Sequence, residues 1–304
     1  MTGTASTPPH RDAGAVLLFY LAGQVLVLRQ QQPRVLRDAA DSAHKMRVAT
    51  RRLRSVLASF CTLLDRDRVA FLRRELRWLA GMLGTQRDAE VLAERLRDDL
   101  AHLAAQSPTA GAVDLAPARK RLDAWQADVV PEAQASVAAA LTSERYRRLM
   151  TDLDDLAARP PFDAAATRPA RSQMAAAMRA DLRRLRRGVR QALDLPDGPA
   201  RDAALHEARK RAKRLRYTAE AAVPARPTRA ARLVATARDL QECLGEHQDG
   251  VVARQLLTRL QADARAENAD TAGFGLLLRR EAARARDAER RFLVLWSALA
   301  PPGG

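Results

Sequence analysis

Two short stretches of the chain share one spacing of cationic side chains. Basic motif 1 (residues 44–54) and basic motif 2 (residues 206–216) both read His-x-x-Arg-x-x-x-(Arg/Lys)-Arg-Leu-Arg, 162 positions apart. Guanidinium, ammonium and protonated imidazole groups donate charge-assisted hydrogen bonds to phosphate and carboxylate oxygens. The shared spacing therefore predicts that both stretches bind an anion.

The period of an α-helix places these cations on one edge of each motif. At about 100° per residue, four of them fall within a sector of about 80° in each motif. The edge consists of His44, Arg47, Arg51 and Arg54 in basic motif 1, and of His206, Arg209, Lys213 and Arg216 in basic motif 2. Apolar residues from Met46 to Phe60 recur with the helical period on the opposite side, which predicts that this side packs against a core.

Both basic edges lack the acidic residues that normally balance a helix surface. No Asp or Glu occurs from Ser42 to Leu64, and Glu220 is the only acid from Ala208 to Arg238. Like charges three or four positions apart on a helix each cost about 0.2–0.5 kcal/mol. A bound anion would remove this repulsion. The repetition of the pattern favours an anion site over a merely solvated basic face.

The composition of the whole chain favours a polyanionic partner. The 304 residues carry a formal net charge of +16, and 48 of the 52 basic residues are arginine. Such a charge attracts polyanions over a distance, and guanidinium suits forked contacts to phosphate oxygens. Cys61 and Cys243 belong to no metal-binding spacing. We therefore expect small apolar cysteines in a reducing compartment, hence a cytoplasmic protein.

Nucleic-acid binding and catalysis are the alternative functions. Net charge alone permits weak, nonspecific nucleic-acid binding, but no recognition helix and no row of aromatic platforms is evident. A metal or catalytic site would have to use His44, His206, His247, Asp88 and Asp249. Lys210 occupies the place of the second histidine in a His-Glu-x-x-His zinc motif that His206 and Glu207 would begin. We expect no enzyme activity, no cofactor and no metal.

Helical periodicity extends over nearly the whole chain, so we predict an all-α fold. Residues 1–12 are polar and predict a flexible tail, whereas the apolar run 13–28 predicts a buried core helix. This run reaches about 24 Å, less than the roughly 30 Å needed to span a membrane, and we expect no membrane association.

Glycines in two similar positions predict that two helices end there. Leu83-Gly84 and Leu244-Gly245 are each followed by an aspartate, Asp88 and Asp249, at the same distance. Glycine favours a helix end and aspartate a helix start. We expect these aspartates to be helix caps or partners of arginines.

The order of elements starts again after the proline-containing stretch 159–169, which predicts an internal duplication. We divide the folded region 13–300 into a first half of about 13–160 and a second half of about 168–300. Short loops imply antiparallel neighbours, so each half is predicted to form a four-helix bundle. Related halves tend to pack about a pseudo-two-fold axis, which would place the two basic edges along a shared groove or pore.

These features resemble the CHAD family, the conserved histidine α-helical domain. The resemblance rests on the paired basic motifs, on Leu-Gly-x-x-(Arg/Gln)-Asp about forty residues after each, and on the segment from Ser143 to Phe162. It covers about residues 13–300, nearly the whole chain. It implies two pseudo-symmetric four-helix bundles and non-catalytic binding of inorganic polyphosphate along a basic channel, with targeting to polyphosphate granules as one cellular purpose.

The resemblance also implies a set of polyphosphate contacts. They are His44, Arg47, Arg51, Arg52 and Arg54 in the first half, and His206, Arg209, Lys213, Arg214 and Arg216 in the second. Gln248 departs from the pattern, which prefers arginine as at Arg87, so a charged contact is in doubt there. Four neighbouring residues extend the predicted site. They are Arg77, Lys210, Tyr217 and Arg238.

Overall fold

Residues 12–106 and 113–299 of the chain are described by a computed structural model, and within them the fold is all-α, as predicted. The described residues form no strand, only the isolated bridges Asp12–Pro169 and Leu64–Phe162. The helices are α1 (Ala13–Val35), α2 (Ser42–Ser59), α3 (Arg66–Gln106), α4 (Ala116–Thr142), α5 (Glu144–Ala158), α6 (Ala170–Leu193), α7 (Pro199–Ala222), α8 (Pro227–Ala266) and α9 (Ala272–Leu299), with a short 3-10 helix at Ala164–Thr167. The predicted tail lies outside the described residues except for Asp12.

Local sequence explains where several helices begin. The carboxylate of Asp12 accepts a hydrogen bond from the backbone N–H of Ala15 at the start of α1. The hydroxyl of Ser143 accepts one from the N–H of Tyr146 at the start of α5. Both side chains satisfy backbone donors that the first helical turn leaves free. Helices α7 and α8 begin at proline, whose fixed φ suits the first helical position.

The prediction that helices end at Gly84 and Gly245 was wrong. Helix α3 continues through Gly84 and α8 continues through Gly245, so each helix is about 60 Å long. Interior glycine costs a helix only about 0.5–1 kcal/mol, which the packing of a long amphipathic helix easily offsets. A Cβ at Gly245 would lie 3.6 Å from the Arg209 guanidinium, which is an ordinary contact distance. Asp88 and Asp249 are consequently not helix caps.

The chain folds into two compact units that do not follow the two sequence halves. Unit 1 comprises residues 1–81, 140–187 and 211–237, and unit 2 comprises residues 82–139, 188–210 and 238–304. Each unit takes segments from both halves, and α3, α4, α6, α7 and α8 each contribute to both units. Basic motif 2 is divided by this boundary, since Lys210 belongs to unit 2 and Arg211 to unit 1.

The core of unit 1 forms around α1. This helix is long and apolar enough to cross a membrane by length and composition, a property shared by core helices of soluble proteins and by signal sequences. Leu17, Leu21 and Leu28 are fully buried, and α1 packs against α2 and α5. Leu53 of α2 and Tyr146 of α5 are also buried in this unit. These leucines belong to the apolar run 13–28, which was predicted to form a core helix.

An apolar cluster forms part of the core of unit 2. It gathers leucines and alanines of α3, α4, α8 and α9, with Phe274 as its largest side chain. Two buried carboxylates lie in the same unit. Asp99 receives hydrogen bonds from Arg280 and Arg284, and Glu281 receives them from Arg95. Pairing with guanidinium groups is what allows carboxylates to be buried without a large desolvation penalty.

Candidate anion-binding site

Helix α2 presents basic motif 1 as predicted. Its apolar side is sealed, since Met46, Ala49 and Leu53 are at most 1% exposed. His44 is exposed to solvent, whereas Arg47 and Arg51 on the same edge are half-buried. The helix therefore buries one side and holds a row of cations along the other.

Three arginines of unit 1 come close together at the end of this row. The pKa of Arg54 lies below its ordinary value, first because the guanidinium is half-buried and second because Arg77 and Arg73 lie nearby. The buried Nε atom of Arg73 has no hydrogen-bond partner among the described residues. We call Arg54, Arg73 and Arg77 the arginine cluster. Its members repel one another, and an anion placed among them would relieve that repulsion.

Glu220 holds a second group of predicted site residues through internal contacts. Its carboxylate oxygens lie 3.1 Å from Arg52 Nε and 3.2 Å from Arg216 Nε. Both guanidinium groups also stack on the ring of Tyr217, at 5.7 Å and 5.1 Å from its centroid. The hydroxyl of Tyr20 donates a hydrogen bond to the same carboxylate. Tyr217 is 4% exposed, so this group forms a layer beneath the basic surface.

Asp181 is the acidic partner of Arg214, as Glu220 is of Arg52 and Arg216. This carboxylate is 1% exposed and lies 3.1 Å from Arg214 Nε, while Ser59 and Thr218 donate hydrogen bonds to it. Burial lowers the pKa of Arg214 most; Asp181 opposes this shift, whereas Arg184 and Arg73 add to it. Arg214 thus lies close both to the buried carboxylate of Asp181 and to Arg73 of the arginine cluster.

Sequence reasoning did not assign a role to Glu220 or Asp181. Each is the only acid in a long arginine-rich stretch, 208–238 for Glu220 and 170–193 for Asp181. An acid that interrupts such a stretch is a detectable signal for a buried partner of arginine. The contacts of these two carboxylates favour a supporting role for Arg52, Arg214, Arg216 and Tyr217. The half-buried Lys213 lies on the same helix, α7.

Unit 2 holds the remaining predicted residues. Burial lowers the pKa of His206 most, and the neighbouring charges of Lys210 and Arg209 lower it further. A hydrogen bond with Gln248 and the charge of Glu207 act in the opposite direction. The Nδ1 atom of His206 and the Nε atom of Arg209 are buried without a hydrogen-bond partner among the described residues. Gln248, which stands where the family pattern prefers arginine, thus forms a hydrogen bond with His206.

Two other predicted residues of unit 2 lie at its surface. Lys210 is exposed and forms an ion pair with Glu207 at 2.6 Å, one helical turn away. Arg238 on α8 is exposed. The charge of Asp249 acts on Arg95, which forms an ion pair with Glu281. Although burial opposes the shift, Glu281 and then Asp249 and Asp99 raise the pKa of Arg95.

His247, which sequence reasoning considered for a metal or catalytic site, is buried in an ion-pair network of unit 2. Its Nε2 atom lies 3.2 Å from Asp202 and 3.9 Å from Glu289. Arg201 contacts Glu289 at 2.5 Å, and Arg254 contacts Asp202 at 3.5 Å. Every charge in this network has an opposite neighbour, as buried charges require. In the described parts of the chain, no group of three or more His, Cys, Asp and Glu side chains is placed to hold a metal ion.

The fold and these clusters define an all-helical protein with clustered basic side chains. Residues 19–258 match the model of the CHAD domain family, and the chain belongs to this family. The resemblance inferred from the two basic motifs is thereby confirmed.

Two curated relatives come from Mycobacterium tuberculosis. They are protein MT2285 of strain CDC 1551 / Oshkosh and protein Rv2226 of strain ATCC 25618 / H37Rv. Each is 37% identical over 246 residues, which cover 81% of this chain and 45% of the relative. The chain thus spans less than half the length of these relatives.

Two solved structures share the fold. PptA from Streptomyces chartreusis superposes with a TM-score of 0.78 at 24% identity, over 94% of this chain and 99% of that one. The CHAD domain from the plant Ricinus communis superposes with a TM-score of 0.68 at 24% identity, over 98% of this chain and 96% of that one. At this identity, the likeness shows the helical fold alone.

Proposed function

We propose that the protein binds inorganic polyphosphate through its clustered arginine, lysine and histidine side chains, without catalysing a reaction. The arginine cluster carries this proposal. Burial of Arg54, and after it the nearby charges of Arg77 and Arg73, disfavour the charged form of its guanidinium, and a polyanion placed among the three groups would offset that cost. Membership of the CHAD family supports polyphosphate as the anion.

The contacts divide the predicted site into two layers. Arg52, Arg214 and Arg216 have buried or half-buried acidic partners, so we assign them to a supporting layer with Tyr217. We assign the remaining predicted residues to a binding layer, which each unit carries separately. They are His44, Arg47, Arg51, Arg54, Arg77 and Lys213 in unit 1, and His206, Arg209, Lys210 and Arg238 in unit 2. A fixed supporting layer keeps the binding layer oriented before the polymer arrives, which lowers the entropy cost of binding.

A linear polymer of phosphates matches these edges better than a compact anion. Each basic edge runs about 15 Å along its helix, long enough to contact several successive phosphate groups. Polyphosphate carries its charge densely and has no bases that could stack on aromatic side chains. Tyr217, which follows basic motif 2 on α7, is buried and so provides no platform for a base. We therefore place nonspecific nucleic-acid binding second. In a cell, polyphosphate binding of this kind would target the protein to polyphosphate granules in the cytoplasm.

Charge reversal in the arginine cluster tests the proposal. The double variant Arg54→Glu with Arg77→Glu should bind long-chain polyphosphate at least about a hundredfold more weakly, because two charge-assisted contacts of about 1.5–3 kcal/mol each are lost. Isothermal titration or fluorescence anisotropy at physiological salt measures the affinity. Circular dichroism should show unchanged helical content.

The matched control is Arg147→Glu with Arg148→Glu on α5, in the same unit. These side chains are 69% and 75% exposed, and the change in net charge is identical. The control variant should retain nearly the affinity of the unaltered protein. Equal losses of affinity in both variants would show that binding depends on net charge alone. If duplex DNA or RNA displaces polyphosphate from the unaltered protein in competition, nucleic-acid binding replaces our proposal.

A further inference from the structure

An open cavity of about 860 Å³ lies in unit 2, between the start of α7 and the middle of α8. Helix α7 contributes His206 to its lining, together with Asp202 and Pro199 near the helix start. The side chains of α8 that matter for its chemistry are Gln248, Val251, Arg254, Gln255 and Arg259. No predicted site residue other than His206 lines this cavity, so sequence reasoning left it without a role.

The cavity is continuous with the candidate site through His206. The Nδ1 atom of this histidine is buried and has no hydrogen-bond partner among the residues that the structure describes. Arg209 and Lys210 act on the imidazole from its own helix, and Gln248 contacts it from α8. An anion held by these groups therefore lies at the entrance of the cavity.

The charge along the cavity differs from that of the matching edge of α3. Positions 161 residues earlier than Val251, Gln255 and Arg259 are all acidic. They are Glu90, Glu94 and Asp98. Gln255 and Arg259 are exposed, as are Glu94 and Asp98, so burial does not explain the difference. Compared with the matching edge of α3, this edge of α8 carries three fewer negative charges and one more positive charge. It is therefore the more favourable of the two edges for a polyanion.

The acid that remains in the cavity does not oppose an anion. Asp202 lies 3.2 Å from His247 and 3.5 Å from Arg254. The Arg254 guanidinium offsets its charge, while the buried Nε atom of Arg254 has no hydrogen-bond partner among the described residues. Arg259, farther along α8, is exposed. Arg259 therefore adds a positive charge at the end of the cavity farther along α8 from Gln248.

From this charge pattern we infer that the cavity between α7 and α8 is an extension of the binding path, which takes successive phosphate groups of a long polyphosphate chain from His206 toward Arg259. This inference rests on the proposed function. The path from Gln248 to Arg259 adds about 16 Å along α8. A short polyphosphate satisfies the basic motifs without reaching Arg259, whereas a long one contacts both. The extension therefore gives the protein a preference for long chains, and the acidic edge of α3 provides no equivalent.

The test transfers the acids of α3 to α8. The triple variant Val251→Glu, Gln255→Glu and Arg259→Asp places there the residues found 161 positions earlier. It should lower the affinity for long-chain polyphosphate about tenfold and leave the affinity for tripolyphosphate unchanged. The control, Arg279→Asp with Arg286→Asp on exposed positions of α9, makes the same change in net charge and should leave both affinities nearly unchanged.

The outcomes separate this inference from the proposed function. If the unaltered protein binds neither polymer, the proposed function fails. If it binds both but the triple variant behaves as the control does, or loses tripolyphosphate affinity in the same proportion, only the extension is disproved. Should the triple variant fail to fold, the single change Arg259→Gln at an exposed position provides the same comparison, with a smaller selective loss for the long chain.

Discussion

At the scale of single residues, the main finding is that similar arginines in the basic motifs have different surroundings. Arg52 and Arg216 share the carboxylate of Glu220, whereas Arg54 has two other arginines as neighbours. The motif predicted that all of them are cationic and lie near one another on helices. It did not predict that Glu220 neutralises both Arg216, one helical turn away, and Arg52, because the second pair depends on tertiary packing. Glu220 is 168 positions from Arg52.

Removing the charge of Glu220 should destabilise the protein. Glu220→Gln leaves Arg52 and Arg216 half-buried beside each other without a counter-charge, which should lower the free energy of unfolding by about 1–3 kcal/mol. Denaturation in urea, followed by circular dichroism, measures the change. Glu144→Gln is the control, since its partners Arg147 and Arg148 are largely exposed and such pairs contribute little. An equally small effect of both variants would contradict the supporting role of Glu220.

His206 should make polyphosphate binding dependent on pH. In the free protein, burial and the charges of Lys210 and Arg209 hold the pKa of His206 below its ordinary value. A bound anion favours the protonated form and raises that pKa, so binding takes up a proton in the pH range between the two values. Affinity should therefore be constant above this range and increase as the pH falls through it.

Titrations of affinity against pH with the unaltered protein and with His206→Gln check this expectation. In the variant, the increase in affinity that comes from protonation of His206 should be absent. Any pH dependence that comes from the terminal phosphates of the polymer should remain. Identical pH profiles for the two proteins would show that His206 does not bind the anion.

At the scale of elements, the long helices α3 and α8 show where sequence patterns were misleading. Helix type followed from the apolar period that extends over nearly the whole chain. The glycines did not end their helices, because burial of a long apolar stripe outweighs the local preference of one residue. A Cβ at either position would meet only ordinary contact distances, 3.7 Å at Gly84 and 3.6 Å at Gly245.

Two alanine substitutions in α8 should have opposite effects. At Gly245 a Cβ would lie at ordinary contact distance, 3.6 Å from Arg209, so Gly245→Ala should stabilise the helix by about 0.5–1 kcal/mol. At Gly250 a Cβ would lie 3.1 Å from the Cβ of Ala285 and 3.2 Å from the backbone oxygen of Glu281, so Gly250→Ala should be destabilising. Thermal unfolding of both variants measures the difference. The same sign of change in both would show that Gly245 is required for space or flexibility.

At the scale of the whole molecule, charge dominates the expected behaviour. The family and the all-α class were predictable because the basic motifs occur twice and the helical period covers most of the chain. The composition of the two compact units was not predictable. Their boundary divides α7 within basic motif 2, and nothing in the local sequence marks that position.

Salt should weaken polyphosphate binding steeply. A polymer that contacts many cations of a chain with a net charge of +16 releases its condensed counterions on binding. We expect the affinity to fall on the order of a hundredfold or more between 50 mM and 200 mM salt, with a linear logarithmic plot. The Arg54→Glu and Arg77→Glu variant should show a shallower slope. An affinity independent of salt would contradict binding through these side chains.

The interleaved composition of the two units also constrains how the protein acquires its structure during synthesis. Unit 1 needs residues 211–237 to complete it, and unit 2 needs residues from 238 onward. The nascent chain therefore emerges with basic motif 1 on an incomplete unit, beside the polyanionic RNA of the ribosome. Neither unit can therefore acquire all of its contacts until the chain has been synthesised at least as far as residue 237.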